Sequence, residues 1–344
     1  MNTILHIARI ALACALMAAC SMQPDEPGAA EEVFNLDQDI GVARRVNVPT
    51  FAEPRVIVDL DWGSGGWKVG RFDGDQAASA GPMSFALSAA GEIFLLDQIN
   101  AGILVFAPDG SPNRKIALPS KTFLDILVLD SGAMVLLDRD VRGVIVIMDE
   151  RGAVLGEHAV EGPGIERAGR VTATYALDDG IWLEYHHETM VHVLDAGLSP
   201  CARTILPGLP HGAGGARIRP ARIEAGGAIV RMEDASGSII REKKIYLDHG
   251  IERIAWTDTD GRGNIYAILH LLEYDGRVPP SVAHEETVGM VFDRNLDLLA
   301  KIVSPYAITE WWQFKEFEVT PDGRILQLAV TQQGARLLEW GASW

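Results

Sequence analysis

Short apolar runs of four to seven residues, separated by turns that contain Gly or Asp-Gly, follow one another from about residue 55 to the C-terminus. Within these runs Ile, Val, Leu and Phe alternate with polar residues or stand together. They do not recur at the three- and four-residue spacing of an amphipathic helix. Apolar runs of this length between turn residues are typical of β-strands. The pattern therefore predicts an all-β domain.

The apolar runs recur in pairs. Residues 91–97 and 132–138 share a Gly start and a Leu-Leu-Asp end, and in each copy a second run begins about ten residues after the first. Six units can be traced, with a mean spacing of about 46 residues. Their leading glycines are Gly91, Gly132, Gly180, Gly227, Gly263 and Gly323. Tandem four-stranded units of this length predict a six-bladed β-propeller.

The last unit ends after three strands, and residues 55–61 form an apolar strand ahead of the first complete unit. Closure of the ring removes the exposed edge that a four-stranded unit would otherwise present. We therefore predict that this N-terminal strand completes the last blade. The fourth unit, around Gly227, has the faintest pattern, and five or seven blades stay open as alternatives.

The first complete unit resembles a known repeat. Residues 91–110 follow the pattern of the NHL repeat of six-bladed propellers, and they depart from it where Gly102 replaces the preferred Arg. The matching positions are Asp97, Asn100, Ile103, Phe106 and Gly110. The resemblance implies the architecture of roughly residues 51–340. It implies no activity, because propellers host many unrelated functions.

The N-terminus has the pattern of a secretory signal peptide, in which a basic residue precedes an apolar run at residues 10–19 and small residues follow. Residues 16–20 resemble the lipobox of bacterial lipoproteins, in which the Cys, here Cys20, is acylated. An ordinary signal peptide with a chance Cys is the alternative. In the resemblance, Ser21 favours delivery to the outer membrane, facing the periplasm or the cell surface.

The predicted domain organisation has three parts: a signal peptide at residues 1–19, the lipidated Cys with a flexible linker at 20–48, and the propeller at 49–344. The linker is rich in Pro, Gly, Ala and acidic residues. Processing leaves only Cys20 and Cys201, and with Cys20 acylated no intramolecular disulfide is expected. The predicted location is the cell envelope, with the membrane contacted through the lipid.

Composition narrows the class of partner. The chain is 48% hydrophobic and 22% charged, which excludes a disordered or collagen-like protein. Lys and Arg together number 30 against 47 Asp and Glu, so the formal net charge is −17. Since such a surface repels phosphate backbones and no basic stripe interrupts it, we expect no nucleic-acid partner.

The two ends of the propeller differ in sequence. We call "long-loop face" the end that carries the connections between the second and third strands of each blade and between successive blades. The tight Gly turns lie at the other end. Long loops on a rigid scaffold concentrate binding residues, and one of them, residues 271–287, is enlarged. The predicted binding residues are Arg139, His186, His187, Glu188, Tyr274, His284, Glu285, Trp311 and Trp312.

Catalytic chemistry has weaker support. Imidazole and carboxylate side chains suit zinc, and some NHL-type propellers hold a metal in the central channel, but no local His spacing fixes two ligands. Asp97, Asp138 and Glu233 recur at the same position of the repeating unit. The NHL resemblance implies that such an Asp accepts hydrogen bonds from backbone N–H groups in the next loop. We find no Gly-x-Ser-x-Gly motif and no phosphate-binding glycine loop. We predict no metal, no cofactor and no catalytic residue.

The leading functional prediction is a binding or scaffold module for an envelope protein, a peptide or a glycan, which is held through the long-loop face. The alternative is a metal-dependent hydrolase resembling lactonases, or a lyase, that uses the central channel. A purely structural envelope component is the third reading.

Overall fold

A computed structural model describes residues 33–35, 53–74, 79–211, 215–223, 226–278, 281–306 and 311–341. Nearly all the regular structure there is strand, and a 3₁₀ turn lies at Ala168–Arg170. In chain order the strands are β1 (Val33–Asn35), β2 (Arg55–Asp61), β3 (Ser79–Ala80), β4 (Ser84–Leu87), β5 (Ile93–Asp97), β6 (Gly102–Phe106), β7 (Pro112–Ala117), β8 (Asp125–Val128), β9 (Met134–Asp138), β10 (Val144–Met148), β11 (Val154–Ala159), β12 (Val171–Leu177), β13 (Gly180–Tyr185), β14 (Thr189–Asp195), β15 (Ile205–Pro207), β16 (Leu209–His211), β17 (Ala216–Ile223), β18 (Gly227–Glu233), β19 (Ile239–Tyr246), β20 (Ile251–Thr259), β21 (Ile265–Tyr274), β22 (Val282–Phe292), β23 (Leu298–Ser304), β24 (Trp311–Trp312), β25 (Phe317–Val319), β26 (Ile325–Val330) and β27 (Gly334–Trp340).

Six antiparallel sheets form the blades of a propeller, which confirms the predicted fold. Blades 1, 2, 3 and 5 are simple meanders, with the strand orders β4-β5-β6-β7, β8-β9-β10-β11, β12-β13-β14-β15 and β20-β21-β22-β23. Blade 6 has the order β2-β27-β26-β25. Its outer strand β2 pairs antiparallel with β27, with Leu60 opposite Ala335 and Asp61 opposite Gly334. The ring is therefore closed by the N-terminal strand, as the sequence predicts.

Burial follows the position of each strand in its blade. The second strands β5 and β9 are buried at every position, because both of their faces are covered. The outer strands β7 and β11 are mostly exposed. Since a blade is covered on both faces only by its neighbours, continuous apolar runs mark the middle strands and mixed runs mark the outer ones.

The core consists of separate clusters between neighbouring blades. One cluster joins blades 1 and 2 around Phe94 and Leu136, a second joins blades 2 and 3 around Val135 and Leu183, and others join blades 5 and 6 and blades 6 and 1. The largest spans blades 3, 4 and 5 and includes Tyr175. Its hydroxyl donates to the backbone oxygen of Thr257 in blade 5 at 3.1 Å, so blade 3 touches blade 5 directly.

Blade 4, the faintest unit in the sequence, is also the least regular in structure. Its order is β1-β19-β18-β17-β16. The chain passes from the end of β19 to the start of blade 5 within four residues, which leaves no room for an outer strand. The strand β1 instead pairs in parallel with the outer edge of β19, with Phe34 opposite Ile245. At the other edge the short β16 lies against β17.

Blade 5 differs from the prediction of an enlarged loop at residues 271–287. Much of that segment continues the hairpin of β21 and β22, where Leu271 pairs with Glu286 and Glu273 pairs with His284. The backbone pairing of the two strands continues to Tyr274 opposite Val282. The result is a two-stranded arm that extends beyond the blade and ends in a turn around Asp275.

The signal peptide and Cys20 lie outside the described residues. Within the segment predicted as a linker, the structure describes only β1. The domain boundaries therefore stay predictions. No helix of the length and hydropathy that a membrane span requires occurs in the part of the chain that the structure describes.

Candidate functional site

The two ends of the propeller differ as the sequence suggests. The turns at one end are short and closed by backbone hydrogen bonds, from Gly91 N–H to the Ser88 oxygen and from Gly132 N–H to the Leu129 oxygen, both 2.8 Å. The connections between blades are longer and leave at the long-loop face. Those on either side of blade 6 pair with each other through the parallel strands β3 and β24. The structural variety of this molecule therefore concentrates on the long-loop face.

The recurring carboxylates of blades 1 and 2 hold these loops in place. Asp97 accepts hydrogen bonds from Gly70 N–H at 3.0 Å and from the Asn100 amide group at 2.8 Å. Asp138 accepts from the backbone N–H groups of Val141 and Arg142, both at 3.1 Å. Burial raises the pKa of Asp97, although these hydrogen bonds oppose the shift. Both side chains thus have the loop-stabilising role that the NHL resemblance implies.

The second-to-third turn of blade 3 has an unusual backbone. His186 and His187 both have φ of 59°, and Glu188 N–H closes the turn onto the Tyr185 oxygen at 3.2 Å. Positive φ at both central positions is the signature of a type I′ turn, which normally uses Asn or Gly. Two left-handed histidines in succession are strained, and such strain clusters at functional sites. The turn leaves both imidazoles exposed on the long-loop face.

A pocket begins at this turn. Its volume is about 420 Å³, and it is lined by residues of blades 3, 4 and 5. Blade 3 contributes acidic and imidazole groups, blade 4 contributes cationic groups, and blade 5 contributes a cationic group and an aromatic wall. The polar and aromatic lining residues are Glu184, His186, His187, Glu188, Arg219, Arg222, Arg231, Arg253, Trp256 and Thr257.

Most of the charged lining residues are held by partners outside the cavity. Arg231 donates through Nε to Glu242 at 2.6 Å, and Arg253 donates through Nε to His270 Nδ1 at 2.8 Å. Arg219 donates to Glu233 at 3.0 Å. On the opposite wall, Glu184 accepts from the Thr172 hydroxyl at 2.6 Å and lies 3.2 Å from His187 Nδ1. With Glu233 and Glu242 counted beside Glu184 and Glu188, four carboxylates accompany the four guanidinium groups in and around this pocket.

The central channel adjoins the pocket and is narrower, with a volume of about 50 Å³. Asp125 in the channel accepts hydrogen bonds from Ser84 of blade 1 and Thr174 of blade 3, and so ties three inner strands together. Lys315 donates to Glu318 at 2.9 Å. Burial raises the pKa of the neighbouring Asp258 to about 7, against the opposing effect of nearby Lys315. The channel is therefore occupied by paired side chains.

Three predicted binding residues lie in the blade 3 turn, and the structure places the others elsewhere. Arg139 is largely buried, donates to the backbone oxygen of Val171 and lies over the Phe314 ring at 4.8 Å. Trp311 is 6% exposed and stacks on Trp62 with ring centroids 5.1 Å apart. Both side chains therefore pack against neighbouring blades or loops. Trp312 is 39% exposed.

The remaining predicted residues lie on the two-stranded arm of blade 5. Tyr274 is 58% exposed near its tip. His284 stacks on His249 with centroids 3.5 Å apart, and its Nε2 is buried without a hydrogen-bond partner. Glu285 lines a separate cavity of about 120 Å³ beside Arg253. The arm and the pocket are thus two distinct features of the long-loop face.

No group of three or more His, Cys, Asp or Glu side chains that could hold a metal ion occurs in the ranges that the structure describes. The metal-dependent alternative stays a prediction from the sequence.

Sequence reasoning missed the four arginines of the pocket. All four lie in blade strands: Arg219 and Arg222 in β17, Arg231 in β18 and Arg253 in β20. A signal was present, since residues 216–223 place Arg217, Arg219 and Arg222 within one strand of an otherwise acidic chain. What the sequence does not show is that Arg253 of blade 5 meets them, because that contact depends on how blade 4 sits in the ring.

No model of a known protein family matches this sequence, and no curated protein matches it. Among solved structures, the chain is similar to a hydrazine synthase from Kuenenia stuttgartiensis, with 13% identity over 76% of this chain and 80% of that chain and a TM-score of 0.48. It is also similar to a member of the DUF4221 family from Bacteroides vulgatus, with 10% identity over 84% and 98% and a TM-score of 0.48. A streptogramin B lyase structure matches at 11% identity over 79% and 97%, with a TM-score of 0.40.

The class of this protein is thus a six-bladed β-propeller, as its own sheets show. At these identities and TM-scores the similar structures assign no activity to this protein.

Proposed function

We propose that this protein is a lipid-anchored, extracytoplasmic binding propeller that holds an envelope protein, a peptide or a glycan on its long-loop face. The observation that carries the proposal is the pocket of about 420 Å³ that opens at this face, beside the arm of blade 5. Concave pockets of 300–1,000 Å³ are typical of ligand sites.

Two further features support binding at this end. The arm presents exposed apolar side chains, with Tyr274 58%, Val278 97% and Val282 43% exposed. Its tip is ordered by Asp275, which accepts hydrogen bonds from the backbone N–H groups of Arg277 and Ser281 at 3.0 and 3.1 Å. These bonds and the Ser281 hydroxyl lower the pKa of Asp275 to about 2. The hydrogen bonds to Asp275 restrict Arg277 and Ser281 before a partner binds, which lowers the conformational entropy that binding costs.

Site-specific photocrosslinking in the intact envelope tests the binding role. A photoreactive side chain at Tyr274 should give discrete adducts, because that position faces the proposed partner. The matched control is Glu150, which is exposed in a tight turn at the opposite end. Adducts of equal yield at both positions, or none at Tyr274, would contradict binding through the long-loop face.

The anchor is tested separately. Palmitate labelling should mark the wild-type chain, and Cys20→Ser should abolish the label and release the protein from the membrane fraction. Label that persists in Cys20→Ser, or an unlabelled wild-type chain, would refute the lipid anchor without bearing on the pocket.

A further inference from the structure

The pocket that begins at the histidine turn brings four arginines together in an acidic protein. The chain carries a formal net charge of −17, yet Arg219, Arg222, Arg231 and Arg253 meet around one cavity with only Glu184 and Glu188 among them. Arg219 and Arg231 pair with Glu233 and Glu242, which offsets the repulsion between guanidinium groups that share a cavity. The case for an anionic ligand therefore rests on the guanidinium N–H groups that these pairs do not use.

Two of these arginines are held in place by a hydrogen bond from Nε. Arg231 and Arg253 each use Nε for the bond that holds them, to Glu242 and His270. In the described part of the chain, neither terminal nitrogen of these two groups makes another hydrogen bond. A guanidinium fixed through Nε still has its terminal N–H donors for a planar oxyanion, which it recognises through paired hydrogen bonds.

The opposite wall is arranged differently. Glu184 is already engaged by the Thr172 hydroxyl and by His187, so its charge is partly compensated. Trp256, Ile254 and Pro220 supply apolar surface between the charged walls. A ring or short carbon skeleton can lie on that surface while its acidic groups reach the arginines of blades 4 and 5.

We propose that this pocket binds a small molecule with two or more carboxylate groups, with a body no larger than a disaccharide. The proposal rests on the proposed function for the location of binding at the long-loop face, and it adds the chemical class of the ligand. The carboxylates pair with the terminal N–H groups of Arg231 and Arg253. Arg222, exposed at the edge of the cavity, contributes long-range attraction.

Calorimetric titration of the mature protein tests this with three probes: citrate, digalacturonate and the neutral disaccharide lactose. We expect at least one of the two acids to bind and lactose not to bind. Binding should weaken as NaCl is raised from about 20 to about 200 mM, since exposed charges are screened over a shorter distance. Citrate alone would indicate a small organic acid, and digalacturonate alone would indicate an acidic saccharide.

Variants identify the residues. Arg231→Gln and Arg253→Gln should each lower the affinity for the acid by roughly tenfold or more, which is the effect of losing one charge-assisted contact. The matched control is Arg114→Gln, since Arg114 is 37% exposed and pairs with Glu92 at 2.7 Å, much as Arg231 is 38% exposed and pairs with Glu242. Arg222→Gln is a second variant that leaves the fold intact, because that side chain is exposed.

The proposal is overturned if neither acid binds, if lactose binds as tightly as the acids, or if Arg114→Gln weakens binding as much as Arg231→Gln. Crosslinking at Tyr274 is independent of these titrations. If Tyr274 gives adducts and neither acid binds, the ligand class is rejected while the proposed function still holds.

Discussion

Closure of the ring through β2 depends on a glycine in the facing strand. A Cβ at Gly334 would lie 1.8 Å from the carbonyl oxygen of Leu60 and 2.8 Å from its carbon, whereas ordinary contacts begin near 3.4 Å. In Gly334→Ala the two strands must therefore part by roughly 1.6 Å at this end. That separation breaks about two backbone hydrogen bonds, each contributing roughly 1 kcal/mol, and exposes part of buried Leu60. We expect the free energy of unfolding to fall by roughly 2–4 kcal/mol.

Urea unfolding followed by tryptophan fluorescence, with a thermal melt in parallel, measures this loss. The matched control is Gly341→Ala at the end of the same segment, where a Cβ would meet nothing within 4 Å. The control should unfold like the wild type, and Gly334→Ala should melt roughly 4–10 °C lower. If Gly334→Ala and Gly341→Ala are equally stable, β2 does not close the ring in the way described.

Two further predictions concern the channel and the aromatic packing. Because burial raises the pKa of Asp258 to about 7, the folded protein holds a proton that the unfolded chain releases near pH 4. The wild type therefore loses stability as the pH rises towards 7. The melting temperature of Asp258→Asn, relative to that of the wild type, should rise between pH 5 and pH 8. A difference that does not change with pH would contradict this. Trp311→Ala should lower the free energy of unfolding by roughly 3–5 kcal/mol, since it removes a buried ring stacked on Trp62. Trp312→Ala removes a partly exposed ring and should lower the free energy of unfolding much less in the same melt. Equal losses in the two variants would refute the assignment of Trp311 as the buried ring of the pair.

The fold could be predicted because every blade places the same requirements on its middle strand and on its tight turns. A middle strand covered on both faces must be apolar throughout, as β5 is, and each turn at the tight end needs a residue with positive φ, as Gly91 and Gly132 have. Both requirements leave a period of about 46 residues in the sequence. The three-stranded last unit and the unpaired N-terminal strand together predicted the closed ring.

The candidate site was only partly predictable. The type I′ turn at His186 and His187 lies at a position where the repeat itself places a loop, so its residues could be identified from the sequence. The arginine pocket left only a partial signal, the arginines of β17, because the meeting of that strand with Arg231 and Arg253 depends on how the blades pack.

What the sequence by itself determined is the architecture: strand content, blade number, the closing strand and the end of the ring where variation concentrates. These features depend on contacts within one repeating unit or between units that follow each other in the sequence. Only the tertiary structure decided which side chains meet across blades. Tyr175 of blade 3 donates to the backbone oxygen of Thr257 in blade 5, and no spacing within a unit specifies that contact. Arg231 and Arg253 line one pocket with the histidine turn although they belong to different blades, because the packing of the blades brings together residues that are far apart along the chain.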